Sequence, residues 1–132
     1  VSEQSLIDSL SSEEFNVLKD LPHDCGMLIS LAGPGKGARF LLDIDCVTVG
    51  RDSASEIFLD DVTVSRKHCQ ILRTKSGTKT TFEIEDLKSL NGTYVNAISK
   101  VNTSLNHGDE VQVGKYRLTF FRPVTGLRTN EI

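Results

Sequence analysis

A series of about ten short apolar segments, each bounded by a turn signal, constrains the fold of this 132-residue chain more than any other feature. Such segments, rich in Val, Ile, Leu, Phe and Thr, are typical of strands and are too short to form stable helices alone. Their regular alternation with turns predicts an all-β fold, a sandwich of antiparallel sheets. The predicted strands are Met27–Leu31, Ala38–Leu42, Cys46–Val49, Glu56–Leu59, Lys67–Arg73, Thr81–Glu85, Thr93–Val95, Glu110–Val113 and Tyr116–Phe121, with smaller pieces at Val101 and Leu105.

Glycine and asparagine residues mark the connections between these segments. A glycine-rich stretch at residues 32–37 predicts the first hairpin connection, and Gly114-Lys115 predicts the last one. Asn91-Gly92 is a strong tight-turn signal, and taken alone it predicts a hairpin that leads into Thr93.

The two ends of the chain differ from this β-rich part and define the predicted boundaries. Residues 1–26 are interpreted as an acidic, largely unstructured tail, residues 27–121 as one domain, and residues 122–132 as a polar tail. One domain of this size has room for a hydrophobic core of its own. Thr125 and Thr129 in the last segment are conceivable phosphorylation sites.

One short helix is predicted within the first tail. Ser11 and Glu14 have the spacing of a capping box, in which each side chain accepts a hydrogen bond from the backbone of the other residue. Phe15 and Leu18 follow near helical spacing, and Pro22 ends the pattern. So short a helix needs a surface to dock on.

Composition and charge exclude several classes of protein. The 38% hydrophobic and 25% charged residues are those of a soluble globular protein, and the longest apolar run, Met27–Ala32, is too short to cross a membrane. Residues 1–25 carry a net charge of −5 and residues 26–132 a net charge of +2, which gives no indication of nucleic-acid binding. Three cysteines without paired spacing, and no visible secretory signal, predict a reduced, cytoplasmic protein.

Three polar clusters fall at predicted strand ends, where loops carry function if a rigid scaffold positions them. Arg51 supplies a cation, Ser65 a hydroxyl and Asn91 an amide, and together they would form a receptor for a small anion. None of the three is a nucleophile with a base beside it, so the clusters predict binding without turnover. The clusters are Gly50-Arg51, Ser65-Arg66-Lys67-His68 and Ser89-Leu90-Asn91-Gly92-Thr93-Tyr94-Val95-Asn96.

A phosphorylated threonine would suit these donors. It carries roughly −1.5 to −2 charges and three acceptor oxygens near neutral pH. Arg51 offers a planar fork of donors that matches those oxygens, and Ser65 can donate its hydroxyl. The amide of Asn91 contains a donor and an acceptor, and can hold the extended backbone of a peptide beside the phosphate.

Each of these residues also has a purely structural interpretation. Gly50 would permit either a close approach of two backbone segments or a positive φ. Arg51 would be a solvated surface residue, and Ser65 would cap a turn. For His68, a packed and hydrogen-bonded role in holding the neighbouring loop is favoured over catalysis. Only the joint pattern, in this order and at this spacing, favours a binding site.

The joint pattern Gly50-Arg51, Ser65-x-x-His68 and Asn91-Gly92 resembles the signature of forkhead-associated (FHA) domains. These are phosphothreonine-recognition modules built as an eleven-strand antiparallel β-sandwich, and the resemblance covers about residues 27–121. It implies that Arg51 and Ser65 contact the phosphate, that Asn91 contacts the peptide main chain, and that Gly50, His68 and Gly92 support the loops. The rim residues it implies are Thr63, Val64, Arg66, Ser89 and Leu90. Leu90 stands where many FHA domains have Ser or Thr.

A narrower resemblance is to the small actinobacterial FHA regulators that inhibit the 2-oxoglutarate dehydrogenase complex under the control of serine/threonine kinases. It implies phosphothreonine-containing proteins, the dehydrogenase and a kinase as partners. In those regulators a phosphorylated tail threonine occupies the protein's own FHA site. No threonine precedes Thr48 in this sequence, so either the chain is truncated or that switch is absent. The matching segments are Phe40–Asp43, Ile57–Arg66, Ser89–Asn96 and Gly108–Lys115.

Two alternatives remain to the interpretation as an FHA regulator of a metabolic enzyme. The chain could be an FHA adaptor, for example a domain of a larger signalling, envelope or secretion protein. An enzyme is disfavoured because Ser65 lies in no Gly-x-Ser-x-Gly elbow, and because the glycine-rich residues 33–37 lack the phosphate-loop spacing. The histidines and cysteines have no metal-ligand spacing. We therefore expect a monomeric, non-enzymatic protein without a cofactor or a metal.

Overall fold

The computed structural model describes residues 3–123, which form two helices and eleven strands. The predicted polar tail, including Thr125 and Thr129, lies outside the described residues from position 124 onward. The helices are α1 (Glu3–Asp8) and α2 (Ser12–Lys19). The strands are β1 (Gly26–Ile29), β2 (Arg39–Leu42), β3 (Cys46–Gly50), β4 (Ile57–Phe58), β5 (Cys69–Ser76), β6 (Lys79–Asp86), β7 (Thr93–Val95), β8 (Ile98–Ser99), β9 (Asn102–Leu105), β10 (Glu110–Val113) and β11 (Tyr116–Phe121).

The strands form two sheets, so the predicted β-sandwich is confirmed. One sheet has the order β2-β1-β11-β10-β7-β8, and the other has the order β4-β3-β5-β6-β9. The strand pairs given by register are antiparallel, except that β4 runs parallel to β3, with Val49 opposite Ile57 and Gly50 opposite Phe58. This exception differs from the expectation of a purely antiparallel sandwich. It arises because the loop after Gly50 brings the chain back beside β3 without reversing its direction.

The main core lies between the two sheets and follows from strand periodicity. Alternate side chains point inward, as in β10, where Val111 and Val113 are each 1% exposed while Gln112 is only partly buried. Phe82 of one sheet meets Phe120 of the other edge-to-face, with ring centroids 5.3 Å apart. Such pairing joins the sheets by burial and by ring geometry.

The turns show which connections are hairpins. Val113 pairs with Tyr116 across Gly114-Lys115, so the predicted last hairpin is confirmed. Asn96 and Ala97 have φ values of 51° and 69° between paired Val95 and Ile98, which makes a tight two-residue turn that sequence reasoning did not identify. Asn91-Gly92 is not a hairpin, because it connects β6 of one sheet to β7 of the other.

The N-terminal segment contains the predicted helix and one more. Glu14 N donates to Ser11 Oγ at 3.1 Å and Ser11 N donates to Glu14 Oε1 at 2.9 Å, so the capping box that begins α2 is confirmed. The helix α1 has no comparable start signal in the sequence. No helix among residues 3–123 has the length and hydropathy that a membrane span requires.

These helices pack on the outer face of the six-stranded sheet and form a second, smaller core. Phe15 and Leu18 are fully buried against apolar side chains of β1 and β11, including Ile29 and Phe121. The structure therefore differs from the expectation of a largely unstructured tail. The physical reason is that β1 is apolar on both faces, so its outer residues offer the short helices the surface that stabilises them.

Two arginines hold the chain between the helices and β1. Arg122 lies over the Phe82 ring, with its guanidinium carbon 5.0 Å from the ring centroid, and donates to His23 O at 2.9 Å. Arg73 donates to Asp24 O at 2.8 Å. The helical segment is thus fixed at the end of the sandwich where β1 begins and β11 ends.

We predict that Phe15→Ala destabilises the protein by about 3–5 kcal/mol, because it removes a fully buried ring and leaves a cavity under the helices. Denaturant unfolding measures the free energy, with Asn16→Ala at the next, exposed position of α2 as the matched control. An unchanged free energy of unfolding in Phe15→Ala would show that helix docking contributes nothing to stability.

Candidate functional site

The three polar clusters meet at one end of the sandwich, in the loops β3–β4, β4–β5 and β6–β7. Arg51 N donates to Ser65 O at 3.0 Å, and Leu90 N donates to Ser65 Oγ at 2.9 Å. The Asn91 side-chain amide donates to Thr63 O at 3.0 Å. Segments far apart in the sequence therefore form one hydrogen-bonded surface that contains Arg51, Ser65 and Asn91.

Gly50 lies where the end of β3 passes directly against the β4–β5 loop. A Cβ atom at this position would come within 2.0 Å of the backbone oxygen of Arg66. Asp52 N donates to that same oxygen at 3.2 Å, and Leu59 N donates to Gly50 O at 3.0 Å. Of the two structural interpretations of Gly50, the close approach is the correct one, and it sets the position of the next residue, Arg51.

Arg51 is held at one nitrogen only. Its Nε donates to Val64 O at 3.0 Å, which fixes the plane of the guanidinium. Within residues 3–123 the two terminal amino groups make no further hydrogen bond, and the side chain is exposed. An oriented guanidinium with unengaged amino groups is suited to a phosphate or carboxylate, since its planar fork matches two oxygens at once.

Ser65 is half-buried beside this cation. Its oxygen accepts a hydrogen bond from Leu90 N, which leaves its own hydrogen available for donation. A hydroxyl oriented in this way can donate to an anion bound at Arg51.

His68 is completely buried and links two of the loops. Its Nδ1 accepts from Ser65 N at 3.0 Å, so the ring hydrogen resides on Nε2, which donates to Gly92 O at 2.9 Å. Neither ring nitrogen is directed at the Ser65 hydroxyl. The two residues therefore do not form a nucleophile–base pair in this arrangement.

A second internal network shapes the β6–β7 loop. Ser89 donates its hydroxyl to the Asp86 carboxylate and accepts from Gly92 N at 2.9 Å, while the Thr93 hydroxyl donates to Asp86 at 2.8 Å. Burial opposes ionisation of Asp86, but the hydrogen bonds from Ser89 and Thr93 lower its pKa. Ser89 thus lies beneath the rim with its hydroxyl engaged, and Asp86 is a loop-shaping residue that sequence reasoning missed.

The remaining rim residues are placed in different ways. The Leu90 side chain is 89% exposed, and that of Arg66 is also exposed. Val64, in contrast, is 1% exposed and belongs to the main core, so only its carbonyl group faces the site, where it holds Arg51. Val62, which the sequence pattern did not single out, projects from the same loop with 90% exposure.

Thr63, in the β4–β5 loop, contacts the β10–β11 turn. Its hydroxyl accepts from Lys115 N at 3.0 Å, and its own N donates to Asp61 Oδ2 at 2.9 Å. Lys115 Nζ lies 2.7 Å from Asp61 Oδ1, and this contact, with the hydrogen bonds from Thr63, lowers the pKa of Asp61 to about 2. Asp61 and Lys115 lie too far apart in the sequence for their pairing to be inferred from it.

An open groove of about 510 Å³ adjoins this end of the sandwich. Asn91 is one of its lining residues, so an extended chain bound in the groove would pass next to Asn91. Within residues 3–123 no group of three or more His, Cys, Asp or Glu side chains is placed to hold a metal ion. The groove is lined by Thr63, Asn91, Gly92, Tyr94, Ala97, Gln112, Gly114 and Lys115.

Comparison with known proteins agrees with this geometry. The model of the FHA domain family matches residues 47–114. The oxoglutarate dehydrogenase inhibitor of Corynebacterium diphtheriae is 52% identical over 99 residues, which are 75% of this chain and 66% of that protein. The glycogen accumulation regulator GarA of Mycolicibacterium smegmatis is 44% identical over 114 residues, which are 86% of this chain and 68% of that protein. The chain thus spans about two thirds of the length of these relatives.

A solved structure leads to the same family. An FHA domain studied for its phosphothreonine-dependent interactions matches with a TM-score of 0.64 and 26% identity, over 78% of this chain and 99% of that one. The two chains therefore share a fold over most of their lengths. The chain belongs to the forkhead-associated (FHA) domain family.

Proposed function

We propose that this chain captures phosphothreonine-containing proteins on the surface formed by Arg51, Ser65 and Asn91. The terminal amino groups of Arg51 and the hydroxyl of Ser65 bind the phosphate, and Asn91 binds the main chain of the partner. The observation that carries the proposal is the placement of Arg51. Its Nε is fixed on Val64 O, while its terminal amino groups are unengaged within residues 3–123.

The strength of such capture follows from the donors available. Charge-assisted hydrogen bonds contribute about 1.5–3 kcal/mol each. Two or three of them contribute about 3–9 kcal/mol. A micromolar dissociation constant, about −8 kcal/mol, therefore also requires contacts to the peptide main chain, because ordering the peptide has a free-energy cost. Affinity of this order permits rapid release, which a signalling interaction requires.

The proposal includes binding without turnover. The imidazole of His68 is occupied by Ser65 N and Gly92 O, and so it is not placed to act as a base on the Ser65 hydroxyl. A bound phosphate ester would meet a cation and a hydroxyl donor, both of which stabilise the ground state and neither of which attacks it.

For the whole protein we propose regulation of a central metabolic enzyme within a serine/threonine kinase pathway. This proposal is supported by relatives at 44–52% identity that are named as an oxoglutarate dehydrogenase inhibitor and a glycogen accumulation regulator. The 2-oxoglutarate dehydrogenase complex is accordingly the enzyme to test first. The alternative is an FHA adaptor within a larger signalling protein.

We predict that a phosphothreonine peptide binds the chain with micromolar affinity, whereas its unphosphorylated counterpart shows no measurable binding. A phosphoserine peptide should bind several-fold more weakly, because it lacks the methyl group of phosphothreonine. Burial of that methyl group contributes about 0.8 kcal/mol or more. Isothermal titration calorimetry measures the three affinities. Equal affinities for the phosphorylated and unphosphorylated peptides would contradict the proposal.

We predict that Arg51→Ala lowers the affinity for the phosphothreonine peptide by at least about 100-fold, because two charge-assisted hydrogen bonds are lost. Arg51→Lys should recover only part of the affinity, since a lysine retains the charge and lacks the fork. Arg117→Ala, at an exposed position of β11, is the matched control. Retention of full affinity in a folded Arg51→Ala protein would show that the phosphate binds elsewhere.

We predict that the chain inhibits the 2-oxoglutarate dehydrogenase complex of its own organism when added in excess. The rate of NADH formation measures inhibition, and heat-denatured chain serves as the control. Unchanged enzyme activity, together with intact phosphopeptide binding, would support the adaptor function instead.

A further inference from the structure

Thr63 is the meeting point of three elements at the site. Its backbone oxygen accepts from the Asn91 side chain at 3.0 Å, and its backbone nitrogen and hydroxyl both donate to Asp61. The same hydroxyl accepts from Lys115 N at 3.0 Å. Every polar group of Thr63 is therefore engaged, and one of its partners is Asn91.

The β10–β11 turn packs directly against this residue. A Cβ atom on Gly114 would come within 2.4 Å of Thr63 Oγ1 and 2.8 Å of Thr63 O, so only glycine fits there without displacing Thr63. Lys115 follows in the turn and places its ammonium 2.7 Å from Asp61 Oδ1. The turn thus holds Thr63 by packing, by a hydrogen bond and by an ion pair.

We propose that Asp61 and Lys115 are positioning residues for phosphopeptide binding, acting through Thr63 on Asn91. This inference rests on the proposed function of the same site. The Asp61–Lys115 pair holds the Thr63 carbonyl in place, and that carbonyl orients the Asn91 amide toward the peptide main chain. Neither residue needs to contact the phosphate for this purpose.

The phosphate side of the site is held by different bonds. Ser65 is fixed through His68 Nδ1 and through Leu90 N, while Arg51 is fixed on Val64 O. None of these bonds involves Asp61 or Lys115. Loss of the ion pair should therefore weaken binding of the peptide main chain and leave binding of the phosphate itself unchanged.

Asp61→Asn distinguishes a positioning role from a purely electrostatic one, because the two roles predict opposite changes in the affinity for a phosphopeptide. Removing a carboxylate close to the site would strengthen binding of an anionic phosphopeptide if only charge mattered. Positioning predicts weaker binding, since the neutral amide no longer pairs with Lys115. We expect a fivefold to twentyfold loss of affinity for a phosphothreonine peptide, and an affinity for free phosphothreonine within twofold of the unsubstituted chain.

Calorimetry with the peptide and NMR titration with free phosphothreonine measure the two affinities on the full chain. Asp60→Asn, at the exposed neighbouring position, is the matched control for charge and is expected to bind like the unsubstituted chain. Thr63→Val removes the hydroxyl that connects Asp61 to Lys115 N and should reproduce the loss of peptide affinity. Thr63→Ser keeps that hydroxyl and should retain the affinity. The Asn91 side-chain amide resonance should shift in Asp61→Asn and in Thr63→Val.

Two results would overturn the inference while leaving the proposed function intact. One is unchanged or tighter peptide binding by folded Asp61→Asn or Thr63→Val. The other is an equal loss of affinity for the peptide and for free phosphothreonine, which would indicate general disruption of the site. Failure of the unsubstituted chain to bind the phosphothreonine peptide would overturn the proposed function itself.

Discussion

The hydrogen bonds of one buried imidazole underlie the arrangement of the whole loop surface. His68 joins the β4–β5 loop, through Ser65 N, to the β6–β7 loop, through Gly92 O, and it does so from a position with no solvent exposure. If either bond were lost, the buried His68 ring would be left with an unsatisfied nitrogen, and that desolvation cost would destabilise the folded protein. The β4–β5 loop joins two strands of one sheet, whereas Gly92 directly precedes β7 of the other sheet, so this side chain also connects the layers of the sandwich.

The site is preorganised because its supporting groups satisfy one another and leave the outward groups unengaged. Beneath the rim, the Asp86 carboxylate accepts hydrogen bonds from the hydroxyls of Ser89 and Thr93. Above it, Arg51 and Ser65 each make the bond that fixes their orientation and retain donors directed outward. A ligand that binds such a surface does not have to order it first, and this reduces the entropic cost of association.

Local patterns predicted the parts of this protein that depend on local chemistry. Short apolar runs located the strands, and the spacing of the polar clusters identified residues that share one end of the sandwich. What sequence could not predict depends on contacts between distant segments. The pairing of Asp61 with Lys115 exists only because the β10–β11 turn folds against Thr63, and Asn91-Gly92 has the chemistry of a hairpin while connecting two sheets. Docking of the helices required knowing that both faces of β1 are covered.

The position of β1 has a consequence for how the chain becomes structured during synthesis. Its neighbour β11 is among the last described residues to be translated, and the helices rest on side chains of both strands, including Ile29 and Phe121. When the helical segment leaves the ribosome, the part of its docking surface that β11 contributes does not yet exist. The helices can therefore dock only after β11 has joined the sandwich, so a segment that precedes the strands in the sequence is among the last described parts of the chain to reach its native position.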